Sequence, residues 1–141
     1  MNVRELKTVL AKHYLYVRER EGGERARLRR ADLRGADLVN ADLQCADLHR
    51  AKLEGATLER ADLQWADLSE AYLAGAKLRS VNLTGASLWG ADLTRADLSG
   101  AKITRANLRG ADLTGANLEG ADLEGADLEC AIGLEAEEGT T

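Results

Sequence analysis

ADLEGADLEC, residues 121–130, closes a run in which Ala and Leu each return at every fifth position. Ala does so from residue 26 to residue 131 with one exception, Val81, and Leu from residue 28 to residue 128 with one exception, Ile103. The run comprises 21 consecutive five-residue units. A strict short period of this kind indicates a repeat architecture, in which each unit packs mainly on its neighbours.

Neither an α-helix nor a β-strand accommodates a period of five. Five residues at about 100° each turn successive Leu side chains by a net angle of about 140° around a helix, which leaves no apolar stripe. Along a strand, an odd period sends successive Leu side chains to opposite faces. We therefore predict that the chain bends once per unit and that Ala and Leu both point into a tube. Backbone hydrogen bonds would stack its coils about 4.8 Å apart.

The residue two positions after each Leu is the predicted corner of the tube. It is Gly in ten of the 21 units and Asn in one, Asn40. Both residue types readily adopt the positive φ that a type II turn requires at this position. The other corners carry larger side chains, for which positive φ is strained, so we predict a different turn type there. These corners are Arg30, Cys45, Arg50, Arg60, Trp65, Glu70, Ser80, Arg95, Arg105 and Cys130.

The run ADLRG ADLVN ADLQC ADLHR, residues 31–50, resembles the A(D/N)LXX motif of pentapeptide repeat proteins, and the resemblance extends over residues 26–130. It implies an all-β solenoid, a right-handed quadrilateral β-helix with four units per coil and about five coils. The handedness and the four-sided shape rest on the resemblance alone. The inward aliphatic side chains form the predicted core, which includes Leu33, Leu58, Leu83, Ile103 and Leu128.

Three segments are predicted along the chain. Residues 1–25 form an N-terminal capping helix and linker, residues 26–130 form the solenoid, and residues 131–141 form a C-terminal tail. The tail is too short to promise a helical cap, so we expect a monomer or a weak homodimer through the C-terminal end.

The N-terminal segment has the pattern of an amphipathic helix over residues 2–20, which ends before Gly22 and Gly23. Asn2 and Glu5 match a capping box. We predict that this helix covers the first coil; a membrane-surface anchor is the alternative, because the segment carries five basic residues. The apolar residues at helical spacing are Val3, Leu6, Leu10, Tyr14 and Val17.

Composition and charge limit the class of protein. The 141 residues suffice for one domain, and the net charge of −5 is unevenly distributed. Residues 1–60 hold 13 basic and 10 acidic side chains, net +3, whereas residues 61–141 hold 6 and 14, net −8. No segment resembles a signal peptide or a membrane span, so we expect a cytoplasmic location. Cys45 and Cys130 are predicted to be free thiols.

The sequence predicts no enzyme, no cofactor and no metal site. A tube filled by Ala and Leu offers no concave pocket with convergent reactive groups. His13 and His49 have no Cys or second His nearby in the sequence. Asp stands directly before Leu in 11 of the 21 units. A residue that the motif itself repeats is predicted to hydrogen-bond nearby backbone or to face water.

The remaining role is to present a rigid surface to a macromolecular partner of unknown identity. Trp65, Tyr72 and Trp89 fall at outward positions and form the candidate protein-binding surface. Trp89 has an alternative, a local cation–π contact beneath Arg109. Direct binding of nucleic acid is not expected, because the sequence pI is about 5.1.

The resemblance also implies an alternative function, because the best-known activity within that family is binding of DNA gyrase or topoisomerase by mimicry of duplex DNA. A solenoid about 25 Å long would replace a stretch of B-DNA that carries about 15 negative charges. Residues 26–130 hold 17 acidic and 13 basic side chains, net −4. The acidic residues after Arg109, where no Lys or Arg follows, would serve such mimicry best.

Overall fold

The computed structural model describes residues 1–134, and within them it contains one helix, α1 (Val3–Val17). The Asn2 side chain accepts the Glu5 N–H at 2.8 Å, and the Glu5 carboxylate accepts the Asn2 N–H at 3.0 Å. These reciprocal bonds satisfy two of the donors that the start of a helix leaves free. The predicted capping box is therefore confirmed.

α1 ends earlier than predicted, because its C-terminus closes on Glu19 rather than on Gly22. The Glu19 N–H donates to the Tyr16 carbonyl at 3.0 Å, and the Arg20 N–H donates to the Leu15 carbonyl at 2.9 Å. Glu19 lies at φ 51°, in the left-handed region. The two bonds form a Schellman motif, which satisfies carbonyls that the last helical turn leaves free.

The solenoid coils pair at intervals of 20 residues. Every β-bridge within residues 1–134 is parallel and joins residue i to residue i + 20, from Arg27 with Asp47 to Asp112 with Ile132. Four five-residue units therefore complete one coil. Each side contributes a single bridge instead of an extended strand, because the chain turns again after five residues.

An interior unit directs three of its backbone donors to neighbouring coils and one to its own turn. The N–H before Leu donates to the preceding coil, as Asp62 does to the Ala41 carbonyl at 2.9 Å, and the Leu N–H donates to the following coil, as Leu63 does to Asn82 at 2.8 Å. The corner N–H also donates to the following coil, and the next Ala N–H closes the turn on the Leu carbonyl. Where Asp or Asn precedes Leu, the N–H after Leu donates to that side chain, as Gln64 does to Asp62 at 3.1 Å.

The prediction of a different turn at the larger corner residues is wrong. The corner glycines lie at φ 63–72°, and the other corner residues lie at φ 55–60°. The left-handed conformation costs a non-glycine residue about 1–2 kcal/mol. The corner N–H nevertheless donates to the adjacent coil, as Arg60 does to the Arg79 carbonyl at 3.0 Å. A different turn type would break that bond and the register between coils. The hydrogen bonds between coils therefore outweigh the preference of the corner residue for negative φ.

The interior of the tube is filled by the inward Ala and Leu side chains. Leu58 and Leu83 are 0 % exposed, Ile103 is 1 % exposed and Leu33 is 2 % exposed. Leu128 differs, since it is only partly buried. It lies in the last coil of the described chain, where no following coil covers it.

α1 packs one face against the first coil. Leu6 is buried there, and Val9 and Leu10 are partly buried against the core. The predicted apolar face is wrong at two residues, because Val3 is 69 % exposed and Tyr14 is 51 % exposed. The face toward the coil is formed by positions 6, 9, 10 and 13, which leaves position 14 turned outward. No helix within residues 1–134 has the length and apolarity needed to cross a bilayer.

Candidate protein-binding surface

The three aromatic residues predicted as a partner surface lie in the middle coils, around two neighbouring sides. Trp65 is 57 % exposed, Tyr72 is 45 % exposed and Trp89 is 49 % exposed. Residues 66–70 and 86–90 form one side in successive coils; Trp65 is the corner before this side, and Trp89 stands at its far end. Tyr72 lies just past that end, on the next side. Since one coil rises about 4.8 Å, Trp65 and Trp89 are about 6 Å apart along the axis.

Trp65 is held in place by its own corner and by Gly85 in the next coil. Its backbone lies at φ 58°, and its N–H donates to the Thr84 carbonyl at 3.1 Å. A Cβ added to Gly85 would lie 2.3 Å from carbons of the Trp65 ring, so the indole rests on the glycine backbone. The ring is therefore exposed on one face and supported on the other.

Trp89 does not lie beneath Arg109, although the two residues are 20 positions apart in one column. The Arg109 guanidinium pairs instead with the carboxylate of Glu129 and lies 3.6 Å from that of Asp127. Within the described residues, the one cation–π contact involves the C-terminal turn of α1. The predicted stacking is wrong because two carboxylates of the following coil attract the guanidinium more strongly than the indole face does.

A cluster of polar side chains beside Trp89 has the composition of a nucleophilic site. The Ser69 hydroxyl lies 2.9 Å from His49 Nδ1, and His49 Nε2 lies 4.0 Å from a Glu70 carboxylate oxygen. However, the Ser69 hydroxyl donates to the carboxylate of Asp67, so its proton is not directed at the imidazole. The main grooves of the described chain lie at its two ends, away from this cluster. The cluster therefore joins two successive coils on the outer side of the solenoid. The 20-residue spacing of His49 and Ser69 is the sequence signal that reveals it.

The Asp residues that precede Leu act within the repeat, as predicted. Asp97 accepts the Ser99 N–H at 3.0 Å and the Ser99 hydroxyl at 2.6 Å. The bond from the Ser99 hydroxyl has the larger effect and the bond from the Ser99 N–H the smaller one. Together they hold the pKa of Asp97 below its ordinary value. The same bond to the N–H two residues on is made by Asp32, Asp37, Asp42, Asp47, Asp62, Asp67, Asp92, Asp112, Asp122 and Asp127.

Metal-ligating side chains do not gather in the part of the chain described, where no group of three or more could hold an ion. Cys45 is a partly buried free thiol and Cys130 is an exposed one. They are 85 positions apart, which is more than four coils. Neither thiol belongs to a group that could hold a metal ion within residues 1–134.

Solved structures similar to this chain are pentapeptide repeat proteins. HetL of the cyanobacterium Nostoc, which is involved in heterocyst differentiation regulation, is 36 % identical over 77 % of this chain with a TM-score of 0.64. A pentapeptide repeat protein of the Arabidopsis thaliana thylakoid lumen is 34 % identical over 70 % of this chain with a TM-score of 0.52. A second Nostoc pentapeptide repeat protein, alr5209, is 33 % identical over 89 % of this chain and 86 % of its own, with a TM-score of 0.52.

The family assignment rests on the repeats themselves. The chain spans 60 % of HetL and 66 % of the Arabidopsis protein. No curated protein sequence matches it. The family model for pentapeptide repeats matches residues 24–60, 61–100 and 91–129, with eight copies. The sequence match and the similar structures agree, and the chain belongs to the pentapeptide repeat family.

Proposed function

We propose that this protein is a non-enzymatic interaction protein that presents the aromatic surface (Trp65, Tyr72 and Trp89) to a protein partner. The proposal rests on the exposure of these three rings on two adjacent sides of the solenoid. Trp and Tyr contribute a large share of the binding energy in protein interfaces. The backbone beneath them is held by hydrogen bonds to both neighbouring coils, so binding orders few additional groups.

The proposed partner is a protein rather than a nucleic acid or a membrane. The net charge of −5 repels phosphate groups. Arginines near the N-terminal end are engaged by carboxylates, as Arg34 is by Asp32 at 2.6 Å and Arg50 is by Glu70 at 2.8 Å. Those ion pairs leave Arg34 and Arg50 less charge with which to attract an anionic polymer.

The proposal includes a specific architecture, a right-handed winding of about five coils in which residues 1–25 form the cap and linker. The 20-residue register over residues 26–130 and the packing of α1 on the first coil support it. Residues 131–141 would form the tail, of which residues 135–141 lie outside the described residues.

A monomer or a weak homodimer through the C-terminal end completes the proposal. Leu118, Leu123 and Leu128 are partly buried there and offer apolar surface to a second copy. The exposed carboxylates of Glu119 and Glu124 would repel the same groups of that copy, which keeps the association weak. Sedimentation velocity should show a monomer at low concentration, and a stable dimer there would contradict this part.

Affinity capture from the source cells tests the aromatic surface. Trp65→Ala and Trp89→Ala should each reduce the captured partner by about tenfold or more, because truncated hot-spot residues weaken binding strongly. Tyr14→Ala is the matched control, since this ring is exposed to a similar degree but lies on α1. Titration of the purified partner should repeat the order of affinities. Capture that survives both Trp variants would contradict the proposal.

The alternative function is modulation of DNA gyrase or another topoisomerase by mimicry of duplex DNA. The exposed carboxylates of Glu119, Asp122, Glu124 and Glu129 favour it, because no Lys or Arg follows Arg109. The pairing of Arg109 with Glu129 removes part of that charge. A gyrase supercoiling assay decides between the two functions. If the protein has no effect on supercoiling at micromolar concentration, mimicry of DNA is excluded as its function.

A further inference from the structure

His13 is the one polar residue that is fully buried within residues 1–134. It lies on the face of α1 that is turned toward the first coil, and its Nδ1 accepts the N–H of Ala26 at 2.9 Å. Ala26 is the first Ala of the repeat run. The hydrogen bond therefore joins α1 directly to the start of the solenoid.

The bond from Ala26 to His13 takes the place of a backbone hydrogen bond that the N–H at the Ala position makes in every later unit. In each of those units the N–H at the Ala position donates to the carbonyl three residues earlier, as Ala31 does to Leu28 at 3.0 Å. The residue three positions before Ala26 is Gly23, which belongs to no unit. His13 supplies the acceptor that the first unit lacks.

Only the neutral imidazole can serve as that acceptor. Nδ1 carries a lone pair when the ring proton is on Nε2, whereas a protonated ring has an N–H at both nitrogens. Protonation would place two donors, the Nδ1–H and the Ala26 N–H, opposite each other, and it would bury a charge. Burial lowers the pKa of His13, in agreement with this geometry.

The groups around the ring act on its charge in opposite directions, and burial, which disfavours the charge, has the largest effect. The Gln44 backbone and the Asp42 carboxylate in the first coil favour the protonated ring, whereas Arg25 in the linker disfavours it. Asp42 already accepts a hydrogen bond from Arg18 at 3.1 Å. Nε2 has no hydrogen-bond partner among the described residues, and Tyr16 stacks on the ring at a centroid distance of 5.6 Å.

We propose that His13 is an acid-sensitive latch, whose protonation breaks the bond to Ala26 and releases α1 from the first coil. The docked state favours the neutral ring, so its contribution to docking is complete above the ordinary histidine pKa of about 6.5 and is lost as the pH falls from there through the lowered pKa of the docked ring. Arg18 pairs with Asp42 and Lys12 pairs with Glu24, and neither ion pair is made by the His13 ring. Release would uncover the apolar end of the first coil, including Leu33.

Hydrogen exchange of the full chain at about pH 8 and about pH 5 tests the latch. After correction for intrinsic rates, the α1 amides should lose protection by about tenfold at the lower pH, because a buried donor loses its acceptor. The amides of the central coils should keep their protection. His13→Asn places a non-titrating acceptor near the position of Nδ1, so its α1 should be equally protected at both pH values.

The matched control is His49→Gln, because His49 is the other histidine and bonds with Ser69 in the solenoid. This variant should retain the pH dependence of the parent chain. His13→Ala should weaken α1 protection at both pH values; should it not fold, the Asn variant decides. Equal α1 protection of the parent chain at both pH values, or a pH dependence that persists in His13→Asn, would overturn the proposal.

Discussion

The two ends of the solenoid are made from the same repeat, yet among residues 1–134 the residues outside the repeat contribute more contacts to the N-terminal end. There, Leu6 is buried and Leu10 is partly buried against the first coil. The Met1 amino group donates to the Asp32 carbonyl at 3.3 Å, and His13 accepts an N–H. Apolar side chains and backbone groups of the first coil thus both have partners in the N-terminal segment.

At the C-terminal end, the same kinds of groups have fewer partners. Leu118, Leu123 and Leu128 are partly buried, and their N–H groups have no backbone acceptor among residues 1–134. The residue after each of these Leu is a Glu, which adds charge instead of apolar cover. The difference teaches that the repeat determines the middle of the rod, where each unit has a neighbour on both sides. The ends depend on residues that the repeat does not contain.

Truncation of one core Leu at each end should show the largest contrast. Leu33→Ala should lower the free energy of unfolding by about 2–5 kcal/mol, because the side chain is enclosed. Leu128→Ala should cost about 1 kcal/mol or less, because the residue already meets solvent. Urea unfolding measures both, with Leu83→Ala as the central reference. Equal losses for Leu33 and Leu128 would mean that the two ends are equally covered.

Loss of the Asn2 side chain, the N-cap of α1, should have an effect of intermediate size that is confined to the N-terminal end. Asn2→Ala removes the acceptor of the Glu5 N–H and should cost about 1 kcal/mol. Helical circular dichroism and the exchange of α1 amides report it, while the central coils serve as the internal reference. Asn107→Asp is the control, because it preserves an acceptor for the Arg109 N–H within the repeat. An unchanged α1 in Asn2→Ala would show that packing alone holds the helix.

The smallest expected effect concerns the Asp that precedes Leu in the repeat. The donors to its carboxylate differ between the middle and the C-terminal end of the solenoid. Asp97 has a hydroxyl donor in Ser99, whereas Asp122 is followed by Glu124 and receives only the backbone N–H. Ser99→Ala should raise the pKa of Asp97 toward its ordinary value of 3.8. A lowered pKa stabilises the fold above that ordinary value, and this stabilisation disappears as the pH falls through the folded pKa. An NMR titration measures the shift, and no change would assign the lowered pKa to the backbone bond alone.

The period of five was sufficient to predict the fold because it left a bend in every unit as the one geometry that keeps Ala and Leu inward. Leu58 and Leu83 are enclosed as that geometry requires. The number of units per coil required the family resemblance, since bends of several angles would satisfy the same period. The 20-residue register of the bridges shows independently that four units form one coil.

Features that depend on contacts between coils could not be predicted from one unit. Arg60 adopts φ 55° because its N–H bonds to the next coil, against its own preference. Arg109 turns to Glu129 rather than to Trp89. The repeat pattern does not predict His13 as a buried acceptor, because His13 lies outside the repeat and bonds to its first Ala.

The 20-residue register also governs how such a chain can change its length. Removal of one whole unit keeps every aliphatic side chain inward, because the inward positions repeat with the unit. All residues beyond the deletion, however, move to the neighbouring side. Loss of residues 76–80 would shift Trp89 a quarter turn relative to Trp65, whereas loss of a full coil would restore their alignment. Insertions and deletions in whole units can therefore rearrange the exterior of the rod in quarter-turn steps while the interior is unchanged.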